Sequence, residues 1–176
     1  GTLDSTTYRI IGEAYADVEA KERWCNNVES IAQIALLSSQ ACNPATGSDA
    51  DTGAGRILLE GKFLFDFIDQ YADFSPYEML ILPDTVRINS AELRSKLEVF
   101  LNNGGKLLLS GESGLDENGQ FIFDIGASHD GPSPFEPDYI LPTEDMRPDY
   151  CDSPMVMYLR SQRIKPTNGK TLGDVY

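Results

Sequence analysis

Three short, almost unbroken apolar runs constrain this chain more than any other feature: SIAQIALLSS at 30–39, YEMLILPD at 77–84 and KLLLSG at 106–111. A strand with one wet face alternates apolar and polar residues, whereas a strand covered on both faces reads as a continuous apolar run. Stretches with helical spacing lie between them. Tyr8, Ile11, Tyr15 and Val18 share one side of a first helix, which Asp4, Ser5 or Thr6 can cap and which ends near Trp24 to Asn27. Residues 43–55, NPATGSDADTGAG, read as a polar, glycine-rich loop, and Ile57, Gly61, Leu64, Phe65 and Ile68 then mark one face of a second helix. A third helix, capped by Asn89 and Ser90, carries Leu93, Leu97, Phe100 and Leu101 as its stripe; Asn89 and Glu92 have capping-box spacing, and Gly104 and Gly105 supply the stop. Helices alternating with buried strands over short connections predict a mainly parallel sheet with helices on its faces, an α/β sandwich of three layers.

After Glu112 the pattern changes. Six of the ten prolines fall between Pro132 and Pro154, and QFIFDIG (120–126) and MVMYLRSQRI (155–164) read as antiparallel or edge strands added to the sheet. The proline-rich stretch still holds Phe135, Tyr139, Ile140 and Leu141, so it reads as a packed excursion rather than a disordered linker. With 176 residues and 41% hydrophobic content, one core and one domain over 1–176 are expected. Gly1, running straight into a helix-like segment, reads as the start of a piece excised from a longer polypeptide. TLGDVY at 171–176 alternates like a strand cut short, so the natural domain is expected to continue past Tyr176.

Charge narrows the partners. Asp and Glu outnumber Lys and Arg by 28 to 14, a formal charge of -14, which repels phosphate backbones and anionic headgroups. Nucleic acid and membrane surfaces are not expected partners, and no apolar run approaches the roughly 20 residues of a spanning helix. The compartment stays open.

Ligands of open α/β sheets collect at the carboxyl ends of the strands, which places a candidate cleft at Ser38, Asp84, Gly111, Glu112 and Ser113. The chemistry to fill it is missing from the pattern. A nucleophile elbow needs G-x-S-x-G, and Gly111-Glu112-Ser113-Gly114-Leu115 has glycine at the wrong offset and leucine where the second glycine belongs. The single histidine, His129, is far along the chain, so Ser113 reads as a loop serine without a base. Cysteine chemistry would need a thiol at 110–115, and Cys25, Cys42 and Cys151 are all elsewhere, without CxxC spacing. Asp49, Asp51, Gly55 and Glu60 match positions 1, 3, 7 and 12 of a calcium loop, but Gly53 and Ala54 stand at positions 5 and 6, where a ligand and a glycine belong, so a solvated loop is the reading. Carboxylate pairs such as Glu112 with Asp116, or Asp145 with Asp149, arise by chance among 28 acids. No phosphate loop is present, and no catalytic residue, metal or cofactor is expected.

The stretch YEMLILPDTVRINSAELRSKLEVFLNNGGKLLLSGESGLD, with RILLEGKFLFDFIDQYADFSPYEML before it, resembles the β-galactosidase trimerisation domain of family 42 glycoside hydrolases. There an apolar strand ending in proline leads to a helix and a second strand opened by Gly-Gly-Lys. The resemblance covers roughly residues 5–125. It implies a flavodoxin-like, class I glutamine amidotransferase-like sheet that lacks amidotransferase catalytic residues, with Pro83, Gly104, Gly105 and Gly111 as structural positions. It also implies an upstream catalytic (β/α)8 barrel on the same parent chain, where the glycosidase acids would lie, and a homo-oligomeric parent. The expected function is therefore a noncatalytic accessory domain serving assembly or framing of the barrel's active site. The alternative is a small-molecule or sugar-binding module using the strand-end cleft, and an independent serine hydrolase ranks last.

Overall fold

The computed structural model describes residues 4–176, and Gly1 lies outside them. The chain forms two compact units, residues 1–31 and 32–176. In the first, helix α1 (Ser5–Lys21) starts at Asp4, whose carboxylate accepts the Thr7 amide N–H at 2.9 Å, and a single 3₁₀ turn (Glu22–Trp24) follows it. Its apolar stripe of Tyr8, Ile11, Tyr15 and Val18 is exposed.

The second unit is built on a four-stranded, wholly parallel sheet in the order β2-β1-β3-β4, with β1 (Ile34–Leu37), β2 (Phe65–Ile68), β3 (Met79–Leu82) and β4 (Lys106–Leu109). The central pair explains the apolar runs. Ala35, Leu37, Leu80 and Leu82 point to one face and pack with Leu93, Leu97 and Phe100 of helix α4 (Ala91–Asn102). Leu36 and Ile81 point to the other and meet Leu58 of helix α3 (Asp49–Glu60). The sheet thus has a helix on each face. Strand β4 departs from the expectation of a fully buried strand: Lys106 and Leu108 are exposed and Leu107 and Leu109 half-buried, because it forms an edge.

Helix α4 shows how local chemistry sets boundaries. Ser90 is the cap, its Oγ accepting the Leu93 amide at 3.3 Å, so Glu92 falls one position short of the capping-box site expected from Asn89. At the other end the Gly105 and Gly104 amides bond back to the Phe100 and Leu101 carbonyls, with Gly104 at φ +89°, which closes the helix and delivers the chain into β4.

The second helix corrects the sequence reading at both ends. It begins inside the expected loop, at Asp49, and it stops at Glu60, so Phe65 and Ile68 belong to strand β2 rather than to a helical stripe. The stop is the same type of motif, with Phe63 and Lys62 amides bonding to Leu58 and Leu59 carbonyls. Here Lys62, not a glycine, takes the left-handed conformation at φ +58°. Glycines disfavour helices, and a Cβ at Gly55 would sit in ordinary contact 3.9 Å from Leu36 Cδ2, so packing does not require glycine there and the helix forms despite it.

The C-terminal part adds antiparallel structure. Strands β5 (Ala127–Pro132) and β8 (Gln162–Pro166) pair with each other, and β6 (Asp138–Pro142) lies between β7 (Met155–Met157) and β9 (Gly173–Val175). MVMYLRSQRI and TLGDVY therefore do supply strands. QFIFDIG does not: apart from one bridge, Leu115 to Phe121, it is irregular, and the strand starts directly after it at Ala127. Among the described residues no helix is long and apolar enough to cross a membrane.

Asp138 holds this part together. Its carboxylate is fully buried, accepts the hydroxyls of Ser133 (2.9 Å) and Ser161, and takes the Ser161 amide at 2.8 Å. The Ser161 bonds, side-chain first and then backbone, hold its pKa below the ordinary aspartate value. A depressed folded-state pKa contributes stability that is present above the unfolded value and is lost as pH falls through the folded one. Acid unfolding of the β6 region is therefore expected below about pH 4, and Asp138→Asn should flatten that limb of the pH dependence while lowering stability at neutral pH; amide exchange at residues 138–141 against pH is the measurement.

Candidate functional site

The sheet order fixes where a ligand can enter. From β1 the chain moves outward to β2, and from β3 it moves outward the other way to β4, so the connections diverge between β1 and β3 and leave a crevice at their carboxyl ends. The candidate residues stand around that line, each with a defined role. Ser38 ends β1 and caps the short helix α2 (Ser39–Cys42), its Oγ accepting the Ala41 amide at 3.1 Å and donating to Asp51 at 3.2 Å. The buried Asp51 carboxylate also receives the Ser39 amide at 3.0 and 3.1 Å, which ties α3 to the end of β1.

Asp84, Gly111, Glu112 and Ser113 come together where the loops after β3 and β4 zip against each other. The Glu112 amide donates to the Asp84 carbonyl at 2.7 Å, Gly114 to Val86 at 3.1 Å and Ile88 to Leu115 at 3.3 Å. Gly111 must be glycine here. Its φ is +55°, and a Cβ would lie 2.8 Å from Asp84 Cβ and 2.9 Å from its Cα. Ser113 is buried, and its Oγ accepts the Ser110 amide at 2.9 Å, so the hydroxyl staples the turn instead of projecting into the crevice. His129 sits on β5 with Nδ1 at 2.8 Å from the Gly119 carbonyl and Nε2 at 2.9 Å from Gln162 Oε1, both ring nitrogens engaged by the antiparallel region.

The other chemical candidates also resolve into structure. Asp49, Asp51, Gly55 and Glu60 all lie within helix α3 rather than on a loop, and among the described residues no cluster of His, Cys, Asp or Glu is arranged for a metal. Cys42, on α2, has its thiol pushed up to about 11, by burial first and then by the charges of Asp51 and Asp69. A thiol so disfavoured as thiolate is a poor nucleophile at neutral pH.

Two cavities flank the strand ends. One, of about 440 Å³, lies over the crevice between α2, the loops after β2 and β3, and the start of α4, and its wall is polar: Gln70, Tyr71, Thr85, Arg87 and Glu92 are among its residues. Arg87 is held there by Glu112, through Nη2 at 2.6 Å and Nε at 3.1 Å to one carboxylate oxygen, and by the Asp116 carbonyl at 3.3 Å. The second, of about 620 Å³, is an apolar groove on the α3 face, lined by Ile57, Phe63, Met79, Ile81, Leu108 and Leu159, with Asp49 and Asp84 among its few acids. Of the expected cleft residues, Asp84 lines the apolar groove, and Ser38, Gly111, Glu112 and Ser113 line neither cavity; Tyr71, Arg87 and Leu159, which do, carry no site motif in the sequence. Their one signal is position in a loop following a strand, and helical spacing at Leu64, Phe65 and Ile68 masks β2 in the sequence.

Residues 56–136 match the family model described as the beta-galactosidase trimerisation domain. Among solved structures, the chain is similar to alpha-L-fucosidase isoenzyme 2 from Paenibacillus thiaminolyticus, with 42% identity and a TM-score of 0.85 over 98% of this chain and 27% of that one. It shares its fold with a GH42 beta-galactosidase from G. stearothermophilus (22% identity, TM-score 0.56, covering 82% of this chain and 23% of that one). The fold is shared too with the beta-galactosidase from Rahnella sp. R3 (15%, 0.60, 82% and 25%). The chain thus spans about a quarter of the length of each. No curated protein sequence matches it.

Ser113→Ala is expected to lower stability by about 1 kcal/mol through loss of the bond to the Ser110 amide, read by denaturant melts. Alkylation at pH 8 should modify the exposed Cys25 at least about tenfold faster than the half-buried Cys42, as followed by mass spectrometry of the two peptides.

Proposed function

We propose that this chain, which carries the β-galactosidase trimerisation domain over residues 56–136, is a noncatalytic accessory domain of a glycoside hydrolase, and that it serves assembly of the enzyme or framing of the active site of a (β/α)8 barrel on the same polypeptide. The observation that carries the reading is the apolar groove on the α3 face. Ile57, Phe63, Leu108 and Leu159 are each more than half exposed there, in the body formed by residues 32–176. Contiguous exposed apolar surface of this kind marks an interface. At a formal charge of -14, copies of the chain repel one another. A contact between copies must then rest on apolar burial where carboxylates are few, and the groove meets that condition. The occupant we assign to it is a second copy of the chain. Phe135, Tyr139 and Tyr150 in the proline-rich part are also exposed and extend the apolar surface available to the parent.

The domain is one unit of a longer polypeptide in this reading. The 42% identity along 98% of the chain favours a parent acting on α-L-fucosides over one acting on β-galactosides. The chain's own chemistry is structural: a buried, bonded Ser113, a histidine committed elsewhere and a thiol held protonated.

Light scattering on the full-length parent tests assembly. An oligomer is expected, and Ile57→Asp with Leu108→Asp should reduce it to a smaller species without loss of secondary structure. A strict monomer, unchanged on deletion of residues 5–176, would remove assembly as the domain's role. The 176-residue chain should turn over neither acyl esters nor glutamine; turnover abolished by Ser113→Ala would overturn the noncatalytic reading.

A further inference from the structure

We infer that the polar cavity at the strand ends is a binding site for a small, neutral, polyhydroxylated molecule of monosaccharide size, a role separate from the assembly reading. Its position is the divergence point between β1 and β3, and its volume of about 440 Å³ falls within the range of small-molecule sites.

The wall is held rigid before any ligand arrives. The loop carrying Gln70 and Tyr71 is pinned from two sides: Asp69 Oδ1 accepts the Tyr71 and Ala72 amides at 2.8 and 2.9 Å, and Lys96 Nζ donates to the Gln70 and Ala72 carbonyls at 2.7 and 2.6 Å. Lys96 is itself seated 4.3 Å over the Phe74 ring. Gln70 Nε2 donates to the Ala41 carbonyl at 3.3 Å, which fixes the amide and leaves its Oε1 as an acceptor. Asn43 Oδ1 accepts the Ala45 amide at 3.1 Å, which leaves its NH₂ as a donor. Arg87, clamped by Glu112 and the Asp116 carbonyl, uses three of its five N–H groups and keeps two. Pinned side chains that retain both donors and acceptors suit adjacent hydroxyls, each of which donates and accepts.

Charge and ring chemistry narrow the class. Glu112 neutralises Arg87, Glu92 adds a carboxylate to the wall, and the whole chain is acidic, so the site disfavours phosphates and carboxylates. A polar wall with few apolar groups disfavours a hydrophobic ligand. Tyr71 lines the cavity and is exposed, and a tyrosine supplies both an aromatic ring able to stack on the C–H side of a sugar and a hydroxyl able to hydrogen-bond.

The test is a titration of the isotope-labelled 176-residue chain with D-galactose, L-fucose and D-glucose, with inorganic phosphate alongside, followed by amide shifts. At least one sugar is expected to give saturable shifts centred on Asn43, Gln70, Tyr71 and Asn89, weakened at least about tenfold in Tyr71→Ala and in Gln70→Leu. Tyr71 is solvent-exposed, so Tyr71→Ala should retain the wild-type melting temperature, which makes lost binding a property of the site. No saturable shift with any of the three sugars, binding unchanged in both variants, or saturable binding of phosphate in place of sugar would each overturn the assignment. None of these outcomes depends on the oligomeric state of the parent.

Discussion

Everything in the larger unit follows from two strands that have no wet face. Ala35, Leu36, Leu37, Leu80, Ile81 and Leu82 are all buried, so β1 and β3 are stable only if both sides of the sheet are covered. That forces one helix onto each face. Helices α3 and α4 in turn carry the chain outward in opposite directions, and the crevice between β1 and β3 is the geometric residue of that divergence. The strand-end cavity is thus a by-product of core packing before it is anything chemical.

The same constraint weakens toward the edges. Each face has one long helix against four strands, and a helix about 10 Å across covers roughly two strands spaced about 4.8 Å apart. On the α4 face the loop residues Phe74, Val86 and Ile88 complete the cover. On the α3 face only Leu36, Leu58 and Ile81 form a buried cluster, and Leu108 and Phe67 on the edge strands remain exposed. The asymmetry separates a closed, stabilising face from an open one suited to another surface.

At the crest of the sheet, an enzyme's position is occupied by structural bonds. The turn after β4 is where a nucleophile would stand, yet Ser113 is turned inward to the Ser110 amide, Gly111 is pressed against Asp84, and Glu112 is spent on Arg87. These bonds draw the β3 and β4 loops together and give the neighbouring cavity a fixed wall.

How much of this was legible in the sequence depends on the range of the forces involved. The three apolar runs, the Leu93, Leu97 and Phe100 stripe, and the Gly104-Gly105 stop are local signals, and they determined the parallel α/β core and the close of α4. The DADTGAG segment reads as loop because helix propensity is local too, whereas the structure ties it to the sheet through the reach of Asp51 to Ser38 and Ser39. The stop at Lys62 was hidden because the left-handed residue is a lysine, with the glycine one place early, so Phe65 to Ile68 could be assigned to the sheet only through pairing with β1. Tyr71, Arg87, Glu92 and Leu159 acquire their neighbours only when distant loops meet, and no spacing along the chain encodes a meeting brought about by the passage of the β2–β3 connection over β1.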